Sequence, residues 1–308
     1  MSKSFSAISF CEHNIPHFHE IEVRVRACPT VGSLKSVNDA LTKLTFQTNT
    51  SVSEIAEVIG KDISLTARLL RLVNSVFSGL SVTITSIEEA IFFLGLRQIR
   101  QLAMTTKVIE EMDSFVGEDL DVNSLTIWRH SIATAILTRE VLTVTDGVKE
   151  DDTYYIAGLL HDIGKLVMVH AYPDCLRQSL EFEETDPSAF LAKERETFGF
   201  THAELGATYL EMNGLSPEIV QAVLFHHEPH RNFHEPNLAA GVQVADLLAR
   251  YAGCSAGFEP SKEREFGDWE SLEGWSILFA GDRSENHYAR ASIHRSIDHL
   301  PSILKGLL

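Results

Sequence analysis

Seven side chains between residues 130 and 246 carry chemistry that their apolar neighbours make costly to keep. The stretch Leu159-Leu160-His161-Asp162-Ile163-Gly164-Lys165 sets an imidazole beside a carboxylate inside an apolar, helix-patterned run. An ionised carboxylate there is expensive unless a cation pairs with it. Lys165 is one candidate partner and a metal ion is another. Alone, the doublet reads equally as a buried His and Asp that satisfy each other. Further residues change the weighing. His130 stands mid-helix, on the same side as Leu137 one heptad later. His202 falls in the first turn of a helix, and His226-His227 close a helix rich in Val220, Val223, Leu224 and Phe225. Asp246 lies among Val242, Val244, Ala245, Leu247 and Leu248. Each has a plain structural alternative: a satisfied core histidine, a surface histidine, a carboxylate that caps or pairs with a lysine. Together, five His and two Asp on separate apolar helices suit a nitrogen-and-oxygen site for divalent iron, manganese, zinc or a similar ion. Seven ligands exceed what one tetrahedral ion uses. They match two metals about 3.5–4 Å apart, with Asp162 as the bridge. Catalysis at such a centre would be metal-assisted hydrolysis.

These residues need helices to position them, and the apolar periods are helical. Leu34, Val37, Leu41 and Leu44 repeat at spacings of three and four and predict a helix over 33–48. Ser51 with Glu54, Ser86 with Glu89 and Thr201 with Glu204 each read as a capping box. The first of these helices ends near Gly60, and another runs from about Leu65 to Ser75. Residues 96–112 continue helically, and a polar, acidic stretch (113–123) separates the two halves. Ser124 to Leu142 is apolar on more than one side and so reads as a buried helix. Asp152 to His170 and Ser188 to Phe198 follow. Ser216-Pro217 opens a helix running to His227, since proline loses nothing at the first helical position. Asn237 to Ala252 is closed by Gly253. Residues 1–30 read as irregular, with an alternating stretch at 20–26 that suits a strand. The tail is mixed and polar, with an acidic loop (Glu259 to Glu273), before a short amphipathic end at Ile293, Ile297, Leu300, Ile303 and Leu304. The class is all-α.

The chain has 308 residues, 44% apolar and 22% charged, the mix of a folded globular protein. With 26 basic and 43 acidic residues its net charge is −17, which argues against whole-chain attraction to nucleic acid or anionic lipid. Cys11, Cys28, Cys175 and Cys254 form no CxxC pair, so reduced thiols and a cytoplasmic setting are expected. No apolar run approaches the roughly 18 residues of a membrane helix, and the first ten residues do not form a signal peptide.

The order His130, His161-Asp162-x-Gly164-Lys165, His202, His226-His227, Asp246 resembles the HD superfamily of metal-dependent phosphohydrolases. More closely, the stretch from about Cys28 to Tyr251 is similar to an HDOD (HD-related output) domain. The resemblance is carried by Ile63 to Ser75 (ISLTARLLRLVNS), Gly79, Ser86 to Ile91, Leu94-Gly95-Leu96, Ala157 to Gly164 and His226-His227-Glu228-Pro229. It implies an all-helical fold with an N-terminal helical lobe (about 28–115) packed on an HD-type lobe (about 120–252), between an extension (1–27) and a tail (253–308). It also implies a regulatory output module of bacterial signalling. In that family the metal positions usually look degraded, whereas this chain keeps them. By resemblance to HD-GYP phosphodiesterases, the seven residues fall on ligand positions, and Lys165 falls on a lysine that contacts the scissile phosphate. The resemblance implies that Lys165 would neutralise charge developing on the phosphate and that Asp162 would bridge the metals and take a proton from the attacking water. The Gly-Tyr-Pro signature is absent, since the chain reads His226-His227-Glu228-Pro229-His230-Arg231. Thr126 stands where a carboxylate would precede His130. These departures argue against a cyclic-dinucleotide reaction.

The expectation is a signalling module holding two divalent ions, with iron or manganese ahead of zinc, nickel or magnesium, and acting on a protein partner in trans. The alternative is a phosphohydrolase or nucleotide phosphodiesterase with a phosphoester ligand. A second alternative, a DNA reader, rests on the paired helices of 52–75 with Arg68 and Arg71, which imitate a helix-turn-helix. Leu65, Leu69, Leu70, Leu72 and Val73 leave that second helix little polar surface for reading bases.

Overall fold

A computed structural model of the chain describes residues 6–16, 18–29, 52–60, 84–97, 124–147, 152–173, 187–233, 235–254, 268–279 and 283–307, with a few positions between 66 and 101. All regular structure among them is helical. In chain order the helices are α1 (Ala7–Asn14), α2 (Phe18–Arg26), α3 (Val52–Gly60), α4 (Ile87–Leu94), α5 (Ser124–Thr145), α6 (Thr153–Leu160), α7 (Ile163–Ala171), α8 (Pro187–Phe198), α9 (His202–Met212), α10 (Pro217–Phe225), α11 (Pro236–Tyr251), α12 (Glu273–Leu278) and α13 (Arg283–Leu307). Two compact units result: 1–29 with 114–298, and 30–113 with 299–308. The expected helix at 33–48, much of those at 65–75 and 96–112, the acidic stretch 113–123, Ser51, Arg68, Arg71, Cys175 and the loop 259–267 lie outside the described residues.

In the smaller unit, Ile55, Ala56 and Ile59 of α3 share a core with Ile87, Ala90 and Ile91 of α4, joined by Leu69, Ile84 and Ile99. The Asn74 side chain ties this core together. It donates to the Leu70 and Ile84 carbonyls and accepts from the Ile84 amide, each at 2.8 Å. Ser86 caps α4 through the Glu89 amide as expected. The reciprocal half of the box differs: the Glu89 carboxylate accepts from the Thr85 amide and hydroxyl, one residue earlier.

The larger unit is organised around α5, whose buried residues Ile127, Trp128, Ile132, Ala133, Leu137 and Val141 occupy several sides. Its neighbours approach closely because glycines face it. A Cβ at Gly158 of α6 would lie 2.7 Å from the Ala135 Cα, and one at Gly241 of α11 would lie 2.6 Å from the Leu142 side chain. Helix α7 crosses α9 at Gly164 and Gly206, which meet backbone to backbone. That crossing sets the His161-Asp162 end of α7 beside His202.

Several expectations need correction. Residues 20–26 are helical rather than extended. Phe18, Ile21 and Val25 recur at spacings of three and four and are buried, while Glu22 pairs with Arg26 one turn on. Seven alternating residues were too short a signal to outweigh that face. Residues 7–14 are also helical, with Ser6 accepting from the Ser9 amide as N-cap. The 152–170 helix is two helices, broken at His161-Asp162, and α10 stops at Phe225 rather than His227. Both breaks have one cause. The His161 ring Nδ1 takes the Gly158 carbonyl at 2.8 Å, and the His226 ring Nδ1 takes the Val223 carbonyl at 2.7 Å. Each carbonyl would otherwise receive the amide four residues on. The tail is a 25-residue helix rather than a short end.

A Cβ at residue 164 would fall 1.9 Å from the His202 carbonyl oxygen, a backbone atom. Gly164→Ala is expected to lower unfolding free energy by about 2–3 kcal/mol, the upper part of the usual range of overpacking. A urea titration followed by circular dichroism checks this.

Candidate metal centre

The two helix ends and three further helices bring all seven predicted ligands to one buried locus. His130 comes from α5, Asp246 from α11 and His202 from the first turn of α9. His161-Asp162 lie between α6 and α7, and His226-His227 lie just past α10. His202 is placed by a complete capping box: Thr201 Oγ receives the Glu204 amide and the Glu204 carboxylate receives the Thr201 amide. His130, His161, His202 and His226 are fully inaccessible. Of the five candidate-ligand histidines, only His227 is part-exposed.

Four of the histidines are held the same way. Nδ1 of His130 meets the Cys254 carbonyl at 3.0 Å, and those of His161 and His226 meet the carbonyls given above. Nδ1 of His202 meets the Glu194 carboxylate at 2.8 Å. Carbonyl and carboxylate oxygens accept only, so Nδ1 carries a proton in each ring and Nε2 turns inward, as a lone pair wherever the ring is neutral. This is how metal-bound imidazoles are oriented.

Asp162 occupies the centre, with its two oxygens facing different groups. Oδ2 lies 2.7 Å from Lys165 Nζ, 3.4 Å from His161 Nε2 and 3.6 Å from His130 Nε2. Oδ1 lies 3.2 Å from His202 Nε2 and 4.0 Å from His226 Nε2. His130, His161 and Asp162 form one compact donor group, and His202, His226 and His227 form another. Asp246 Oδ1 reaches His130 Nε2 at 2.9 Å and is gripped by Arg250 at 3.0 and 3.1 Å.

Protons alone do not satisfy this arrangement. Burial pushes the pKa of His130 down and favours its neutral ring. A neutral imidazole has one N–H. That proton is on Nδ1, so Nε2 presents a lone pair to the Asp246 carboxylate and, at 3.3 Å, to the Nε2 of His161. The His226 Nε2 is buried with no hydrogen-bond partner at all. Burial, with His161 and His202 nearby, drives His226 down to about 3. Burial likewise holds His227 well below the ordinary range. The neutral, inward-facing nitrogens of His130, His226 and His227 beside two carboxylates are what a divalent cation requires. Burial opposes ionisation of both carboxylates and is outweighed. Both stay charged, well below the usual range, with Lys165 against Asp162 and Arg250 against Asp246. The donor set therefore fits a metal.

Two positioning residues were missed in the sequence. Glu194 sits in the run Lys193-Glu194-Arg195-Glu196, which reads as a solvated face, yet it is buried and binds both the ring and the amide of His202. Arg250 had a usable signal, being four residues after Asp246 on one helix face.

Burial lowers the pKa of His202, but Glu194 and the Asp162 carboxylate more than offset this and lift it to about 9. Metal uptake at pH 7 is thus expected to release a proton. Affinity should rise about tenfold per pH unit toward pH 9 and then level off. Titration calorimetry in buffers of different ionisation enthalpy counts that proton, and Glu194→Gln should reduce the release.

Comparison with known proteins bears on the fold and the family. An uncharacterized protein of Treponema pallidum (strain Nichols) is 28% identical over 203 residues, which is 65% of this chain. The chain spans 38% of the length of that curated relative. An HDOD domain protein of unknown function from Geobacter sulfurreducens superposes with a TM-score of 0.71 at 21% identity, covering 96% of this chain and 97% of the other. A candidate phosphohydrolase from Shewanella amazonensis SB2B superposes at 0.65 with 20% identity, covering 94% and 98%. At these identities the likeness shows the fold. The family model of the HDOD domain matches residues 31–229, well over half of the chain, and the chain belongs to the HDOD family.

Proposed function

We propose that this chain is an HDOD signalling module whose larger unit holds a pair of divalent ions and hydrolyses a phosphoester. The observation that carries the reading is the unpartnered, buried Nε2 of His226 within a set of inward-facing imidazoles. His130, His161 and Asp246 would hold one ion, and His202, His226 and His227 the other. Asp162 would contribute one oxygen to each. When bound, such ions supply polarisation of the phosphate and activation of an attacking water.

The chain's own residues prepare the site for that chemistry. Lys165, itself 2% exposed, fixes a cation 2.7 Å from Asp162 and so keeps a central carboxylate ionised away from water. The same cation would neutralise negative charge that develops on a bound phosphate. Asp162, held ionised far below neutral pH, is a ligand and a poor proton acceptor there. Arg250 fixes Asp246, and Glu194 fixes His202. The resemblance of the fold to the candidate phosphohydrolase from Shewanella amazonensis supports this reading. A second reading keeps the ions and the signalling role and drops turnover, with output passing to a protein partner. The near-complete enclosure of the ligand set favours it, since the four inner histidines are fully inaccessible.

Elemental analysis of the purified, anaerobically reconstituted protein is expected to find about two iron or manganese ions per chain, the stoichiometry of a two-metal site. Asp162→Ala should lose most of both. Hydrolysis of bis(p-nitrophenyl) phosphate by the loaded protein, lost in Asp162→Ala, supports the enzyme. A loaded but inert protein supports the regulatory module. No metal after reconstitution with either ion overturns both.

A further inference from the structure

A cleft reaches the one part-exposed histidine of the site. Its walls include Phe10, Arg195, Leu224, Phe225, His227 and Arg231. Phe10 belongs to α1, which precedes the residues matched by the family. That helix is pinned to α9: Glu211 accepts from the Ser6 hydroxyl at 2.6 Å and from the Ile8 amide at 2.7 Å. The Phe10 ring meets Phe225 edge to face, with centroids 5.5 Å apart, next to the helix end that carries His226-His227.

The two arginines differ in freedom. Arg195 is bound at 2.9 Å to Glu204, a buried carboxylate fixed by the capping box, so its charge is committed. Arg231 is paired at 2.7 Å with Glu228, whose side chain is 53% exposed, and its guanidinium lies 5.4 Å from the Phe10 ring centroid. An exposed ion pair of this kind is worth little. A charge-assisted, bidentate contact to phosphate is worth more. Arg231 can therefore leave Glu228 for an anion, and in doing so it bares a face of Phe10.

We infer that this cleft is the recognition mouth of the centre, and that it takes an organic phosphate with a flat, apolar substituent. The phosphoryl group lies over His227 against Arg231, and the substituent stacks on Phe10. Phe10 and Arg231 are then specificity-determining residues. The inference rests on the phosphoester reading above but does not need turnover.

Phenylphosphonate and methylphosphonate cannot be hydrolysed and so probe the mouth by calorimetry on metal-loaded protein. Phenylphosphonate is expected to bind about tenfold more tightly, a stacking gain of ordinary size. Phe10→Leu, which keeps apolar contact with Phe225, should bring the ratio within about twofold and leave methylphosphonate unchanged. Arg231→Gln should weaken both about tenfold. Metal content and melting temperature should stay as in the parent for both variants. Equal affinity of the parent for the two phosphonates, a ratio unmoved by Phe10→Leu, or binding unmoved by Arg231→Gln overturns the inference. Phosphonate binding that depends on both residues, in a protein inert toward phosphoesters, upholds the mouth and removes only the hydrolytic reading.

Discussion

The structure of the larger unit depends on keeping one carboxylate, Asp162, ionised out of water. Burial opposes that charge, and an isolated ion in such a place would take up a proton. Lys165 lies 2.7 Å from one of its oxygens, and imidazoles converge on both. Lys165 of α7 and the protonated ring of His202 on α9 meet part of that cost, and the lone pairs of His130 and His226 leave the rest to a cation. Each must be placed to within a fraction of an ångström, and the helix packing follows from that demand. Gly164 and Gly206 let α7 and α9 touch through their backbones, which sets Asp162 beside His202.

The same histidines that face the centre also end the helices that deliver them. His161 and His226 each spend Nδ1 on a carbonyl of the last turn. That closes the helix, fixes the tautomer and points Nε2 inward. Local structure and site chemistry are thus two consequences of one hydrogen bond. Replacing either ring would release a carbonyl as well as remove a ligand. Its effect on stability and on metal content would therefore be hard to separate, which is why Asp162 and the cleft residues make cleaner probes.

Around this inner set lies a ring of residues that touch the ligands from outside. Glu194 orients His202, Arg250 orients Asp246, and the Cys254 carbonyl orients His130. Gln243 donates to the His227 carbonyl at 2.9 Å and accepts from the Gly274 amide at 2.7 Å. The loop bearing His227 is thus tied to α12, which like α1 lies outside the span of the family model. Residues at both ends of the chain therefore buttress the part of the site nearest to solvent.

The sequence by itself determined the helical class, most helix boundaries in 124–252 and the seven candidate ligands. Those signals are local: apolar period, capping residues, Ser216-Pro217, and polar side chains stranded in apolar runs. It also carried the doublet that makes Asp162 central. It did not carry the breaks at His161 and Phe225, because apolar periodicity continues through both and the rings that end these helices look like ordinary members of them. Nor did it place the helix at 18–26, where a short alternation masked a buried three-four face. Only the tertiary structure decided that Glu194 is buried against His202 and that Phe10 stands against Phe225. Each of those contacts joins residues from different helices. Whether a charge in Lys193-Glu194-Arg195-Glu196 faces water or a histidine depends on which helix packs against it, and period and composition within one segment hold no information about that neighbour.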